Sequence, residues 1–323
     1  MGKQVHTYHR REEGSFHARY LIILFLCLIP VNTFAEEKLS YYSDYFSFTG
    51  RDAIGFVAFA LDTNRGVDGP AYQAEHFGVL YDQKSDWVKL VGMGEYNNSQ
   101  GALEQIPDSP QFSFEGQANT GLTIRSKENF LFLKIEPLIV QLRESDGNRI
   151  QNWGVAKAEL HWKGREISGR VIYEGLVHHN WNRLTRTYTN TWDNFQGFYL
   201  ALELGPPDTW RDLYLRSEGE GVNRSTKGFM TASKWIGAIH STRFKAYEKA
   251  FNFGFYRWPQ RWDIEVQLKG SEDRSPGELT LRQISRENQG NWIVGGFAMA
   301  VLKGELLING KAIPVLGFVE LIK

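Results

Sequence analysis

One nine-residue stretch occurs twice in this chain without a gap, and in each copy the pattern is that of a tight hairpin. Glu159-Leu160-His161-Trp162-Lys163-Gly164-Arg165-Glu166-Ile167 aligns with Glu305-Leu306-Leu307-Ile308-Asn309-Gly310-Lys311-Ala312-Ile313, 146 positions further on. Lys163-Gly164 and Asn309-Gly310 sit where two strands would meet. Two-residue hairpin turns need positive φ at both central residues, which Gly and Asn adopt most readily. The same offset carries Glu174 onto Glu320. Asn152-Trp153 matches Asn291-Trp292 at a nearby offset, and Gly55-Phe56 matches Gly197-Phe198 near the start of each half. Two copies that end in the same hairpin imply duplication of one β-barrel or sandwich unit. The join falls near His179, giving a first unit over 36–179 and a second over 180–323. No Pro- or Ser-rich linker lies between them, so the units should pack tightly.

The segments between turns read as strands. Trp262, Ile264, Val266 and Leu268 alternate with Asp263, Glu265 and Gln267, the period-two pattern of a half-buried strand. Leu122-Thr123-Ile124-Arg125 and Leu279-Thr280-Leu281-Arg282 repeat it briefly. Ala53 to Leu61 is apolar throughout, as expected of a strand covered on both faces. Arg243 to Phe251 is the segment best suited to a couple of helical turns. The fold class is all-β.

Residues 1–35 read as a leader outside the fold. Lys3, Arg10, Arg11 and Arg19 precede an apolar run from Tyr20 to Val31, and Thr33 and Ala35 occupy the small-residue positions of a cleavage site. Such a run is too short to span a bilayer comfortably. The expectation is a signal peptide cut after Ala35 and an exported protein, periplasmic or secreted, with no membrane span after cleavage. An uncleaved anchor is the alternative. The chain carries 37 basic and 37 acidic residues, and the leader takes few of either. A near-neutral remainder of about 290 residues without a like-charge run offers nothing to nucleic acid. Its one cysteine, Cys27, lies in the leader, so disulfide and thiol chemistry are excluded from the mature part.

Several stretches resemble the two-domain lipocalin-like proteins of the AttH and carotenoid 1,2-hydratase type. They are Tyr45-Phe46-Ser47-Phe48, Gly55-Phe56-Val57-Ala58, Asp62-Thr63-Asn64-Arg65-Gly66, Tyr72 to Asp82 and Asn194 to Leu200. The resemblance covers most of the mature chain and implies two tandem lipocalin-like, calycin-type β-barrels. It also implies either a binder of lipids or isoprenoids, or a hydratase or cyclase acting on a terpenoid or polyene. The hydratases resemble a Tyr-x-Asp-x-Asn-x-Gly stretch whose acid protonates the alkene. Asp62, Asn64 and Gly66 match it, with Ala60 at the tyrosine position.

Asp62 is therefore the candidate catalytic acid if the chain is an enzyme. Asp and Asn in a turn equally serve as local hydrogen-bond acceptors, which is the structural reading of Asp62 and Asn64. Asn64, Tyr72, Glu75, His76, Trp192 and Tyr199 are the candidate ligand-binding residues. Adjacent strand residues face opposite sides, so only one of Glu75 and His76 can point inward. Trp181, Tyr188, Trp192 and Tyr199 gather near the join, as packing between the units or as the walls of a pocket for a polyene. Eight histidines show no His-x-His or His-x-x-x-His spacing, and no metal site is expected. No phosphate loop, dinucleotide fingerprint or Gly-x-Ser-x-Gly elbow is present, so no cofactor is expected. The first functional expectation is an exported binding protein holding a hydrophobic small molecule, a lipid or isoprenoid, in a barrel cavity. The alternatives are the hydratase or cyclase with a carboxylic acid as proton donor, and a glycan binder using exposed tryptophans.

Overall fold

The computed structural model describes residues 39–66, 69–98, 112–117, 119–126, 131–145, 149–181, 195–219, 224–231, 236–251, 257–270, 275–289 and 297–322. Apart from a short 3-10 turn at Pro207–Thr209, every regular element among them is a strand. The first half supplies β1 (Leu39–Gly50), β2 (Ala53–Gly66), β3 (Gly69–Asp82), β4 (Asp86–Asn98) and β5 (Phe112–Gln117). It continues with β6 (Gly121–Ser126), β7 (Phe132–Ile135), β8 (Ile139–Ser145), β9 (Arg149–Trp162) and β10 (Arg165–Trp181). The second half supplies β11 (Phe195–Leu202), β12 (Arg211–Glu218), β13 (Ser225–Thr231) and β14 (Ile236–Phe251). It ends with β15 (Arg257–Leu268), β16 (Gly277–Gln289), β17 (Phe297–Ile308) and β18 (Lys311–Ile322).

Strands β11 to β18 close into an eight-stranded barrel in sequence order, with β18 returning to pair with β11. Strands β1 to β10 form a sheet in the order β4-β3-β2-β1-β10-β9-β7-β6-β5, with β8 beside β9. Here too the last strand, β10, returns to the first, β1. The architecture is one closed barrel and one half-barrel, the two lipocalin-like units of an all-β chain. The leader and its cleavage site lie outside the described residues.

The repeated hairpins occupy equivalent places. Lys163 and Gly164 have φ of 49° and 73°, and Asn309 and Gly310 have φ of 51° and 71°, the mirror-image turn that suits strand twist. The register carries the likeness of the halves strand by strand. Phe132 lies opposite His161 and Glu278 opposite Leu307; Tyr45 lies opposite Glu174 and Gly197 opposite Glu320. This register corrects two of the sequence matches. Gly197-Phe198 on β11 corresponds to Tyr45-Phe46 on β1, whereas Gly55-Phe56 lies on β2. Trp153, opposite Glu174, corresponds to Met299, opposite Glu320, and Asn291-Trp292 lies outside the described residues. A match of two residues is too short to fix a strand, while pairing fixes it residue by residue.

Arg243 to Phe251 is strand, not helix: it is the second part of β14, paired with β15 through several register shifts. Bulges break its alternation, which hides the period-two signal, and Phe244 and Ala246 pack on the barrel core.

Three apolar clusters organise the described residues. One lies on the inner face of the first sheet, around Phe46, Phe48, Ile124, Leu133 and Val171. A second fills the barrel with Phe198, Trp262, Ile264, Leu281 and Val319, each almost fully buried. The third joins the sheets, setting Ile54, Trp153, Val155 and Ile172 against Tyr199, Tyr214, Met299 and Phe318. At the start of β2, Ala53 packs into the first cluster and Ile54 into the third; the side chains of 56–61, the rest of its apolar run, lie outside the described residues. Each large apolar side chain so buried contributes about 1.5–3 kcal/mol.

Candidate functional site

Alternation along β1 and β10 sorts their residues into two sets. Phe46, Phe48, Val171 and Tyr173 turn to the inner face of the first sheet; Tyr45, Ile172 and Glu174 turn to the barrel. Asp44, two residues before Phe46, belongs to the inner set. The Tyr173 hydroxyl donates a hydrogen bond of 2.6 Å to Asp44 Oδ1, and the Tyr173 ring packs 5.3 Å from that of Phe46. Across from Asp44 on β10 is Gly175, and a Cβ there would fall 2.2 Å from the Tyr173 hydroxyl. Glycine is what lets the phenol lie along the strand and reach the acid. Both Asp44 and Tyr173 are half-buried. The protein around Asp44 nevertheless withdraws enough water to lift its carboxyl above the ordinary aspartate range, against the opposing donation from Tyr173. The same burial, with Asp44 beside it, pushes the Tyr173 phenol far up, so it stays a donor.

A second polar group lies between the two sheets. Glu174 on β10 accepts from Tyr199 (2.8 Å), from Tyr214 (3.1 Å) and from the Gln151 amide. Glu320, its counterpart on β18, lies 3.5 Å from the same Tyr199 hydroxyl. Arg216 donates to Gln151 and pairs with Glu218. Burial, and then the charge of Glu174, push Glu320 up to about 8, against the Tyr199 hydrogen bond and Arg216. Two repeat-related carboxyls thus share one hydroxyl, and a neutral Glu320 relieves their repulsion. Outside this group the sheets are tied by Arg170 to Asp212, Lys227 to Glu144, and Trp87 to Ser285 (2.8 Å).

Of the residues singled out from sequence, Tyr199 is buried between the sheets, stacked on Phe318 at 5.1 Å. Asp62 pairs in the backbone with Tyr41 and Gln73, Asn64 with Ala71, and Tyr72 with Thr63 and Asn98. Glu75 pairs with Ala60 and Glu95, and His76 with Phe59, which in turn pairs with Asp44. The side chains of these five residues, and Trp192 altogether, lie outside the described residues. Glu159, His161 and Glu166 bring three ligand-capable atoms within 4.8 Å of one another on the first hairpin. Half-exposed, and with His161 already bonded to Glu159, they form a surface pair and its neighbour. A Glu-x-His spacing facing a Glu on the adjacent strand is the signal that histidine spacing alone overlooks.

Sequence reasoning missed Asp44 and Tyr173. A faint signal was present: an acid two residues ahead of Phe46 and Phe48 in an alternating strand is a charge on an apolar face.

No family model and no curated protein sequence matches the chain; its likeness to known proteins is one of structure. Kievitone hydratase from Nectria haematococca superposes with a TM-score of 0.53 at 11% identity, covering 88% of each chain. CghA with Sch210972 superposes with a TM-score of 0.51 at 10% identity, again over 88% of each chain. An AttH-type protein of Nitrosomonas europaea follows at 0.49 and 9% identity, covering 88% of this chain and 92% of that one. At such identities the likeness establishes the fold alone: the chain shares the two-unit, all-β architecture of kievitone hydratase and CghA.

Proposed function

We propose that the chain is an enzyme of the hydratase or cyclase kind, acting on an apolar, alkene-bearing substrate of terpenoid or polyene type. The observation that carries this reading is the Asp44–Tyr173 pair on the inner face of the first sheet. A carrier of lipids needs apolar walls; it has no use for a desolvated acid held by a phenol. Fold likeness alone would not support an activity.

A carboxyl that holds its proton more tightly than a free aspartate can transfer it to an alkene carbon as the π pair forms the new C–H bond. The cation left on the neighbouring carbon faces the Asp44 carboxylate and the rings of Phe46 and Tyr173. Water then adds to that carbon and returns one proton to Asp44, for a net addition of H2O. If a second alkene of the same substrate reaches the cation first, a ring closes instead, and a later proton loss restores the acid. Binding of a hydrophobic small molecule, a lipid or isoprenoid, is the first step on this route. It would be the whole function if the acid proved idle.

The test is turnover of a terpenoid and polyene panel in H2(18)O, comparing Asp44→Asn with Asp62→Asn. Removing the general acid should lower turnover by about 100-fold or more. Loss in Asp62→Asn alone would move the chemistry to the stretch that resembles the hydratases. No turnover by the wild type, with a lipid extracted from protein purified from its host, would leave the binding-protein reading. Export is part of the proposal: the mature chain should begin at Glu36 and be free of the membrane, which N-terminal sequencing of the exported protein reads directly.

A further inference from the structure

The inner face of the first sheet carries one more polar side chain beside the Asp44–Tyr173 pair. On β9 the inner positions run from Ile150 to Trp162 at every second residue, and Asn152 is the single polar residue among them. Ala156 and Ala158 pack into the inner cluster while Trp153 and Val155 turn to the barrel, which fixes the parity. Asn152 is half-buried and lies opposite Gly175, which in turn lies opposite Asp44. Directly opposite residues hold their Cβ atoms about 4.5–5.5 Å apart, and Gly175 puts no side chain between Asn152 and Asp44. The Tyr173 hydroxyl takes that space instead, 2.2 Å from where a Gly175 Cβ would stand. On the other side of Asn152 in the same row is Arg143 of β8, which is exposed. The row thus runs from solvent, through the Asn152 carboxamide, to the phenol and the acid. Among the described residues the carboxamide has no hydrogen-bond partner. In the barrel the corresponding position, opposite Leu321, is Ala298, fully buried in the core. The repeat asks only for a small apolar residue here, and the carboxamide belongs to the first sheet alone.

We propose that Asn152 is a positioning residue for the water that adds to the substrate cation, which makes the chain a hydratase and not a cyclase. This rests on the reading of Asp44 as the acid. A carboxamide offers an accepting oxygen and two donor hydrogens and stays neutral, so it orients a water without taking its protons. Tyr173 donates to Asp44, which leaves the lone pairs of its own oxygen to accept from the same water. As the water oxygen forms the C–O bond, one of its protons passes to the Tyr173 oxygen, and the phenol's own proton passes to the Asp44 carboxylate. Acid and phenol are restored together, and the sum is addition of H2O across the alkene. Such a group works against ring closure, because a held water quenches the cation before a second alkene reaches it.

The test follows products in D2O by mass spectrometry, with geraniol, farnesol and squalene as probes. The wild type should give hydrated product, alongside alkene that has taken up deuterium by reversal of the first step. Asn152→Leu keeps the size and removes both hydrogen-bonding groups. It should lower the ratio of hydrated product to deuterated alkene by about tenfold, the worth of one hydrogen bond. That ratio does not depend on how much of the variant is folded. Asn152→Asp, which keeps an accepting oxygen, should restore most of it, and Asp44→Asn should lose both products because the acid acts first. An unmoved ratio in Asn152→Leu overturns the assignment while leaving the acid in place. So does a wild type that cyclises or exchanges its probes and hydrates none. A wild type that neither exchanges nor hydrates any probe overturns the proposed activity itself, and the role of Asn152 with it.

Discussion

At the point where the last strand of each half folds back on its first, the two halves hold different chemistry. In the first sheet the inner positions are Asp44, Tyr173 and Gly175; in the barrel the corresponding residues are Gln196, Val319 and Leu321. The barrel set is closed: Val319 and Leu321 are buried in its core, and the Gln196 amide oxygen accepts a 2.8 Å hydrogen bond from Trp262. The first-sheet set is half-open, with an acid and a phenol that keep part of their surface. A duplicated unit needs only one copy to carry a site, and the other is free to fill with apolar side chains and stabilise the pair. Where the halves meet the repeat is preserved instead, since Glu174 and Glu320 face the same Tyr199 hydroxyl.

The largest effect expected of this comparison is catalytic. Asp44→Asn should lower turnover by about 10²–10⁴-fold with little loss of stability. Gln196→Ala, its counterpart, should leave turnover intact and cost about 1–3 kcal/mol by orphaning the Trp262 indole N–H. Equal effects of the two on activity would end the idea that the halves have divided their roles.

Next in size is the pH response of the joined face. Glu320 sits at about 8 in the folded chain, above its ordinary 4.5. A raised carboxyl contributes stability fully at pH below the unfolded value and loses it as pH rises through the folded one. The wild type should therefore weaken as pH rises from about 4.5 to about 8, losing roughly 1 kcal/mol for each pH unit crossed. Glu320→Gln should flatten that slope in denaturant titrations run at acid, neutral and alkaline pH. Parallel profiles for the two proteins would mean that Glu320 is ionised in the fold.

The support of the acid comes third. Tyr173→Phe removes the donor to Asp44, and Gly175→Ala crowds it out, so both should lower turnover by roughly 10–100-fold, the worth of a hydrogen bond to a charged group. Both should also move the pH profile upward, because the Tyr173 bond is what holds the Asp44 carboxyl down. A loss of rate with an unmoved profile would reduce Tyr173 to packing. The smallest effect belongs to the turns. Asn309→Lys should destabilise the chain by about 1 kcal/mol, since Lys tolerates left-handed backbone less well than Asn. The reverse change, Lys163→Asn, should gain less than that, because it also loses the Lys163 hydrogen bond to Ser85.

Part of the candidate site was legible from the chain itself. Alternation placed Phe46 and Phe48 on one face of a strand, and the Glu174 to Glu320 match was visible at the hairpin offset. Neither pattern says which face is the inner one. Asp62 drew attention because it stands in a recognisable stretch, whereas Asp44 and Tyr173 are 129 residues apart and share no motif.

The sequence by itself determined what is local. Period-two alternation sets the strands, the Lys163-Gly164 and Asn309-Gly310 pairs set the hairpins, and the repeat sets two units of one kind. Bulged β14 escaped because bulges interrupt the period. Only the tertiary structure decided what is non-local: that β10 closes on β1 as β18 closes on β11, that the outer faces of these strands meet each other, and that Asp44 looks inward. The physical reason is that a strand's period specifies two faces without naming their partners. Which face is buried against which depends on pairings between residues more than a hundred positions apart, and those form only when the whole sheet assembles.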